Sequence, residues 1–390
     1  MRIRLLPLCL LAIVVPFCSG CNNKPNQEKI IYSDGREEIS KNPTIDSLTE
    51  NGEEVSILPE EWMKYYKNSN DFKNITSYYV EGVENCFPES FTVRWANQNA
   101  TSKYSFLLAD NKNMDNPVSY ELKEPACELK DLLAGTHYYY VIKALYEDRT
   151  VISRRFDFKT VDYFRTIKID GVFNGRDLGN KKTNNGKQKV RQGLIYRTAN
   201  FDGVTNKGKT QALEQYGIKT DLDLREKGPT SSPLGPEVNY VNNGVGEYGS
   251  PLYISQNTGV NVPDYQVAMR DNLKVLANKD NYPLAFHCAV GRDRTGTFAI
   301  TLYLLLGINQ DQIRQDYVVS WFSKACNSGI FESYVEYMES LFRYYSKYKP
   351  EGVDDKSSIY ERVEAYCLHI GLSKDEIASI RNILLEDIKK

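Results

Sequence analysis

Histidine is scarce in this 390-residue chain: there are three, at positions 137, 287 and 369, none near another in sequence. A metal centre built on several imidazoles is therefore not expected, and no other cofactor is called for. A basic excess is also lacking. Lys+Arg number 49 against 51 Asp+Glu, for a formal net charge of −2, which argues against general nucleic-acid binding. No internal repeat is present. Short cysteine spacings of the zinc-knuckle kind are missing as well. Five cysteines follow Cys21, at 86, 127, 288, 326 and 367, and an odd number leaves at least one unpaired. Whether Cys86 and Cys127 pair stays open. What the chain does have is 41% hydrophobic residues, enough for ordinary cores, and a length that predicts two folded units plus a tail.

The amino terminus reads as a targeting segment. Arg2 and Arg4 precede the apolar run Leu5 to Phe17, which is too short for a permanent span, and Ser19-Gly20 precede Cys21. This resembles a bacterial lipoprotein signal over 1–21, with Cys18 where that signal usually has leucine. The resemblance implies lipidation at Cys21 and an extracytoplasmic, membrane-anchored protein, periplasmic or on the cell surface. A plain cleaved secretion signal is the alternative, and it also places the chain outside the cytoplasm.

Residues 22–73 are polar with little periodicity and read as a tether. From 74 to 160 apolar and polar residues alternate in strand-length runs: Phe91 to Trp95, Lys103 to Leu108, Leu129 to Leu133, Tyr138 to Ala144 and Phe156 to Thr160. This predicts an all-β sandwich. Trp95 and the stretch Leu132-Leu133-Ala134-Gly135-Thr136-His137-Tyr138 resemble the fibronectin type III family. That resemblance implies a spacer, or an arm for a protein partner. From 161 to 390 short strands alternate with helices, which predicts an α/β domain with a central, mostly parallel sheet flanked by helices. A capping box at Ser373 to Glu376 opens a helix expected to reach about 388.

The chemistry concentrates in His287-Cys288-Ala289-Val290-Gly291-Arg292-Asp293-Arg294-Thr295, between the apolar strand Leu284 to Phe286 and an apolar helix from Thr295 to Leu306. A strand that ends in cysteine and re-enters a helix seven residues later must curl between them. Backbone N–H groups in such a curl, with the positive end of the helix, form an anion cradle. The same field lowers the thiol pKa of Cys288 and makes it a nucleophile. Arg294 supplies a two-pronged donor for phosphoryl oxygens. Ala289, Val290, Gly291, Arg292 and Thr295 complete the cradle. Thr295 is placed to donate to the Cys288 sulfur, and His287 to orient the loop.

The loop resembles that of the cysteine-dependent protein-tyrosine phosphatases, and more narrowly their atypical group of secreted bacterial tyrosine and lipid phosphatases. That group has lysine where this chain has Arg292. Asn174 to Gly179, Val190 to Gly193, Tyr196 to Ala199, Asp221 to Arg225, Asp316-Tyr317 with Ser320, and Val363 to Tyr366 resemble further motifs of the group. The resemblance implies phosphate-monoester hydrolysis through a phosphocysteine, with phosphotyrosine protein as substrate and dual specificity within reach. It implies Asp293 as proton donor, with Asp223 as a supporting residue and fallback acid, and Arg176 and Asp177 at the border of the site. Two other readings stand beside this one. An inositol-polyphosphate or phosphoinositide phosphatase would use Arg292 as an extra cation. A surface lipoprotein could bind a phosphorylated partner without catalysis.

Overall fold

The computed structural model describes residues 27–68, 71–99, 101, 103–245, 263–349 and 353–388. The stretch expected to be a signal, 1–21 with Cys21, lies outside the described residues. The chain divides into two units: 1–57 with 88–163, and 58–87 with 164–390.

The first unit is built of strands. They are β1 (Lys29–Tyr32), β2 (Glu37–Ile39), β3 (Ile45–Ser47), β4 (Glu53–Val55), β5 (Phe91–Asn97), β6 (Tyr104–Ala109), β7 (Val118–Leu122), β8 (Ala126–Leu129), β9 (His137–Leu145), β10 (Arg149–Ile152) and β11 (Phe156–Thr160). One sheet runs β2-β1-β10-β9-β11-β4, with β6 and β7 joined to it through β9, and a second runs β3-β5-β8. Alternation on β9 sends Tyr138, Tyr140, Ile142 and Ala144 inward, where they meet Val93 and Trp95 from β5.

The tether expected over 22–73 is folded wherever it is described. Strands β1 to β4 pair into both sheets, and Ile45, Val55 and Ile57 are buried in the core. Strands of three or four residues are too short to display a period of two, and β2 is exposed along its whole length, so the segment is polar on average. Residues 58–87 belong to the second unit, so the domain start expected at 74 falls inside a segment that the first unit does not contain. Cys86 and Cys127 are both free thiols and sit in different units.

The second unit adds α1 (Glu60–Asn68), β12 (Arg165–Thr166), β13 (Arg176–Asp177), β14 (Gln188–Val190), β15 (Ile195–Thr198), α2 (Asn206–Thr210), β16 (Thr220–Arg225), β17 (Asn239–Val245), α3 (Pro263–Ala277), β18 (Leu284–His287), α4 (Asp293–Leu305), α5 (Gln310–Val318), α6 (Phe331–Lys347), α7 (Ile359–His369), α8 (Lys374–Leu384) and β19 (Leu385–Asp387). Its main sheet has the order β12-β13-β15-β18-β16-β17. Neighbours from β15 to β17 are parallel, and the short β12 and β13 are antiparallel. Strand β18 lies between β15 and β16, and all four of its residues are buried, as a central strand requires. Helix α4 is buried all round from Thr295 to Leu305 and packs against α5 and α7. The capping box at Ser373 is present, but its helix ends at Leu384, not 388. There the chain turns into β19 and pairs with β14, whose free edge supplies hydrogen bonds that another helical turn could not reach. Among the described residues, no helix is long and apolar enough to cross a membrane.

Candidate active site

Strand β18 delivers Cys288 to the carboxyl end of the parallel sheet, where crevices form in such folds. Register sets the flanks: Thr198 on β15 and Asp223 on β16 both lie beside His287. The chain then curls through 288–292 and enters α4 at Asp293.

The curl is held from outside, one carbonyl at a time. His287 Nδ1 lies 3.1 Å from the Cys288 carbonyl oxygen. Asn200 donates through Nδ2 to the Ala289 carbonyl at 2.7 Å. Asn174 Nδ2 and the Cys326 thiol both donate to the Val290 carbonyl, at 3.0 and 3.1 Å. Arg197 donates to the Gly291 carbonyl at 2.9 Å. In a planar trans peptide the carbonyl and the following N–H point opposite ways. Four carbonyls fixed outward therefore turn the N–H groups of Ala289, Val290, Gly291 and Arg292 toward the inside of the curl. Inward N–H groups of this kind form a backbone concavity suited to an anion. Gly291 has φ +77°, and a Cβ there would meet the Thr198 carbonyl oxygen at 2.4 Å, so neither the turn nor the close approach to β15 tolerates a side chain.

Cys288 is buried at 2% exposure. Burial alone would raise its thiol pKa, and Asp293 adds to that. The hydroxyl and N–H of Thr295, with the charge of Arg294, outweigh both and hold it below the ordinary value. Thr295 Oγ1 is buried, and its influence on the thiol is to lower the pKa. His287 is fully buried between acceptors: Nε2 faces Asp221 Oδ1 at 2.8 Å, and Nδ1 faces the Cys288 carbonyl with Asp223 at 3.7 Å. Burial disfavours a charged ring, but the two aspartates prevail and raise its pKa. Asp221 on one ring nitrogen and the Cys288 carbonyl on the other leave both nitrogens engaged, so the ring ties β16 to the start of the loop.

Three of the expected roles change. Arg292 does not face the cradle. Its guanidinium is buried, stacks on Tyr334 at 3.6 Å and Trp321 at 4.9 Å, donates to the Cys326 carbonyl and pairs with Asp293 at 3.1 Å. The aromatic rings and carbonyl draw it away from the phosphate side, so only its backbone N–H belongs to the cradle. Arg176 and Asp177 do not border the site either. Arg176 is buried against Asp316, Ser320 and Asn174, while Asp177 receives Arg165 at 2.9 Å and the N–H groups of Gly179 and Gly193. Asp223 is unsuited to donate a proton. Burial would raise its carboxyl, but Arg225 grips it through side chain and N–H, with His287 alongside, and holds it below the usual carboxylate range. It remains a supporting residue. Asp293 opens α4, pairs with Arg292 and accepts from the Tyr317 hydroxyl at 3.4 Å.

The residues that shape the loop include several to which sequence motifs assigned no role. Asp316 is the hub: Arg197 reaches it at 2.5 Å, Lys181 at 3.2 Å and Arg176 at 3.3 Å, all buried. Burial would raise its carboxyl, but the three cations drive it far below the usual range. The available signal was a charged side chain following an apolar run, as with Arg197 after Leu194-Ile195-Tyr196, in a strand whose four residues are all buried. Nothing in the sequence pointed to Asn200 or Cys326. The Cys326 thiol is pushed up to about 12 by burial, which keeps it protonated and able to donate.

Among the described residues, no cluster of His, Cys, Asp and Glu could hold a metal ion. Residues 167–386 match the profile described as the tyrosine phosphatase family. A Cupriavidus necator protein named "putative tyrosine-protein phosphatase" is 27% identical over 172 residues, covering 40% of this chain and 62% of that protein. The chain thus spans under two thirds of that relative. Two solved structures are also similar. The core catalytic domain of the PP-IP phosphatase SIW14 from S. cerevisiae, in complex with citrate, has a TM-score of 0.27 at 18% identity, covering 38% of this chain and 85% of that one. A second structure of the Siw14 catalytic core has a TM-score of 0.28 at 18% identity, covering 46% and 89%.

Proposed function

We propose that this chain, which belongs to the tyrosine phosphatase family over 167–386, hydrolyses phosphate monoesters through a phosphocysteine at Cys288. The observation that carries the reading is the curl itself: four carbonyls pinned outward around a buried thiol of lowered pKa. The Cys288 thiolate attacks phosphorus, forming the S–P bond as the P–O bond to the leaving group breaks. Arg294 and the inward N–H groups bind the equatorial oxygens, where transition-state charge collects. Asp293 is the group assigned to protonate the departing oxygen, and it must leave its pairing with Arg292 and take up a proton to do so. Water then attacks phosphorus, losing its proton to Asp293, and the S–P electron pair returns to sulfur, where the Thr295 hydroxyl receives the thiolate. A chain that only read phosphate would need no thiol tuned in this way.

Phosphotyrosine on a protein is the favoured substrate. Arg292, the cation that a polyphosphorylated inositol would need, is buried on aromatic rings. Leu224, Tyr265, Met269 and Phe298 lie with Arg294 around a narrow apolar crevice, so the cation in the loop has apolar neighbours and, among the described residues, no further cations there. Phosphate release from a phosphotyrosine peptide is expected to exceed that from inositol hexakisphosphate and a phosphoinositide by at least about tenfold in kcat/KM, a difference of about 1.4 kcal/mol. The reverse order would overturn the assignment of substrate.

The first unit is read as fibronectin type III-like, supported by the buried Trp95 and by the Tyr138 hydroxyl, which accepts from the Leu133 N–H at 2.8 Å. Extracytoplasmic anchoring through Cys21 is carried by sequence alone. Radiolabelled palmitate is expected in the full chain and absent from Cys21→Ser, and equal labelling of the two would remove the anchor.

A further inference from the structure

Residues 58–87 interrupt the β-rich unit in sequence and lie outside the span that matches the family, yet they pack as part of the second unit. Helix α1 buries Trp62 and Tyr65 completely. Trp62 stacks on Phe322 with centroids 4.8 Å apart, and its indole N–H donates to the Asn85 carbonyl at 2.6 Å. The Asn85 N–H in turn donates to the Phe322 carbonyl at 2.8 Å. Asn327 ties down the same stretch, donating to the Val80 and Val83 carbonyls at 2.9 and 3.2 Å and accepting from the Gly82 N–H at 3.0 Å.

Glu84 is the point where this segment meets the machinery of the loop. One carboxylate oxygen accepts from the Ser323 hydroxyl at 2.7 Å and the Lys324 N–H at 3.1 Å, and the other from the Asn174 N–H at 3.4 Å. Both segments, at 174 and at 323–324, lead directly to the loop. Asn174 Nδ2 holds the Val290 carbonyl and also contacts Cys326 Sγ at 3.2 Å. The turn opened by Ser323 carries Cys326, whose thiol holds the same carbonyl and whose own carbonyl receives Arg292. One carboxylate thus fixes two separate chain segments that converge on one peptide of the phosphate loop.

We propose that residues 58–87 are an integral strap of the catalytic unit and that Glu84 is a positioning residue for the phosphate loop, acting through Asn174 and Cys326 on the Val290 carbonyl. The proposal rests on the phosphatase reading for its kinetic consequence, though not for its effect on oxyanion binding. With the carboxylate gone, Asn174 and the turn at 323–327 lose their common anchor, and the Gly291 N–H that follows the Val290 carbonyl loses its aim.

The test compares the full chain with Glu84→Ala and Glu84→Gln, measuring kcat and KM on a phosphotyrosine peptide, orthovanadate affinity and Tm. Glu84→Ala is expected to lower kcat and weaken vanadate about tenfold, the scale of a small misplacement of a reacting group, with KM changed less than about twofold. Glu84→Gln keeps an acceptor for Ser323 and Lys324 and is expected to recover part of both losses. A lowered Tm with wild-type kcat and vanadate affinity would mean a merely structural contact and overturn the proposal. If the unsubstituted chain turned over no ester, the functional reading would fall, and the vanadate comparison would still decide this one. Should Glu84→Ala not fold, Glu84→Gln and Ser323→Ala decide: weaker vanadate in both supports the strap, and unchanged binding in both overturns it.

Discussion

Cys288→Ser is expected to reduce phosphate release by at least about 10⁴-fold, since removing a nucleophile from a preorganised site leaves only binding and electrostatics behind. The serine oxygen fits the same space, so the cradle should persist and vanadate should still bind. The lowered thiol pKa makes a second readout. Between pH 6 and 7 an ordinary cysteine, with a pKa of about 8.5, is mostly thiol and alkylates slowly. Cys288, held lower by Thr295 and Arg294 against its own burial, should become reactive toward iodoacetamide at a lower pH than an ordinary thiol. Cys86, Cys326 and Cys367 are all raised by burial and should not. Mass spectrometry of the labelled chain resolves the two groups. Labelling of Cys288 that tracks an ordinary thiol, or turnover retained by the serine variant, would remove the nucleophile from the mechanism.

Asp316→Ala should be the most damaging change for stability. The carboxylate faces Arg176, Arg197 and Lys181, all buried, and its loss leaves three cations without a counter-charge. Breaking a buried pair from one side costs about 3–5 kcal/mol, a large part of a typical total of about 5–15. In a unit of this size that lowers Tm by on the order of 10 °C. Activity should fall with it, because Arg197 also holds the Gly291 carbonyl. The pH dependence has a definite sign. Asp316 is depressed in the folded state, so its contribution is complete above the ordinary carboxylate range and drains away as pH falls below about 4. Wild type and variant melting curves should therefore converge toward low pH. A Tm within about 2 °C of wild type at pH 7 would show that the cations find solvent or other partners, and that Asp316 is not the hub.

The loop was legible because its chemistry is local. Strand, cysteine, five residues, arginine and helix lie in one stretch of chain, and the backbone must curl whatever surrounds it. The α/β alternation was legible for the same reason, since strand and helix periods appear within windows of ten residues. The capping box at Ser373 was read directly, whereas the end of its helix was not, because β14 decides it from nearly two hundred positions away in sequence.

The sequence by itself determined the nucleophile candidate, its cradle and the class of chemistry that such a loop performs. Tertiary structure alone decided which way the charged side chains face. Arg292 sits in the loop yet is claimed by Trp321 and Tyr334, and Arg176 looks like a site residue yet belongs to Asp316. It also decided that residues 58–87 join the second unit, and that three separated segments, at 174, 197–200 and 326, pin the loop's carbonyls outward. The physical reason is that a buried charge or carbonyl takes whichever partner packing brings within about 3 Å, and that partner can come from anywhere along the chain.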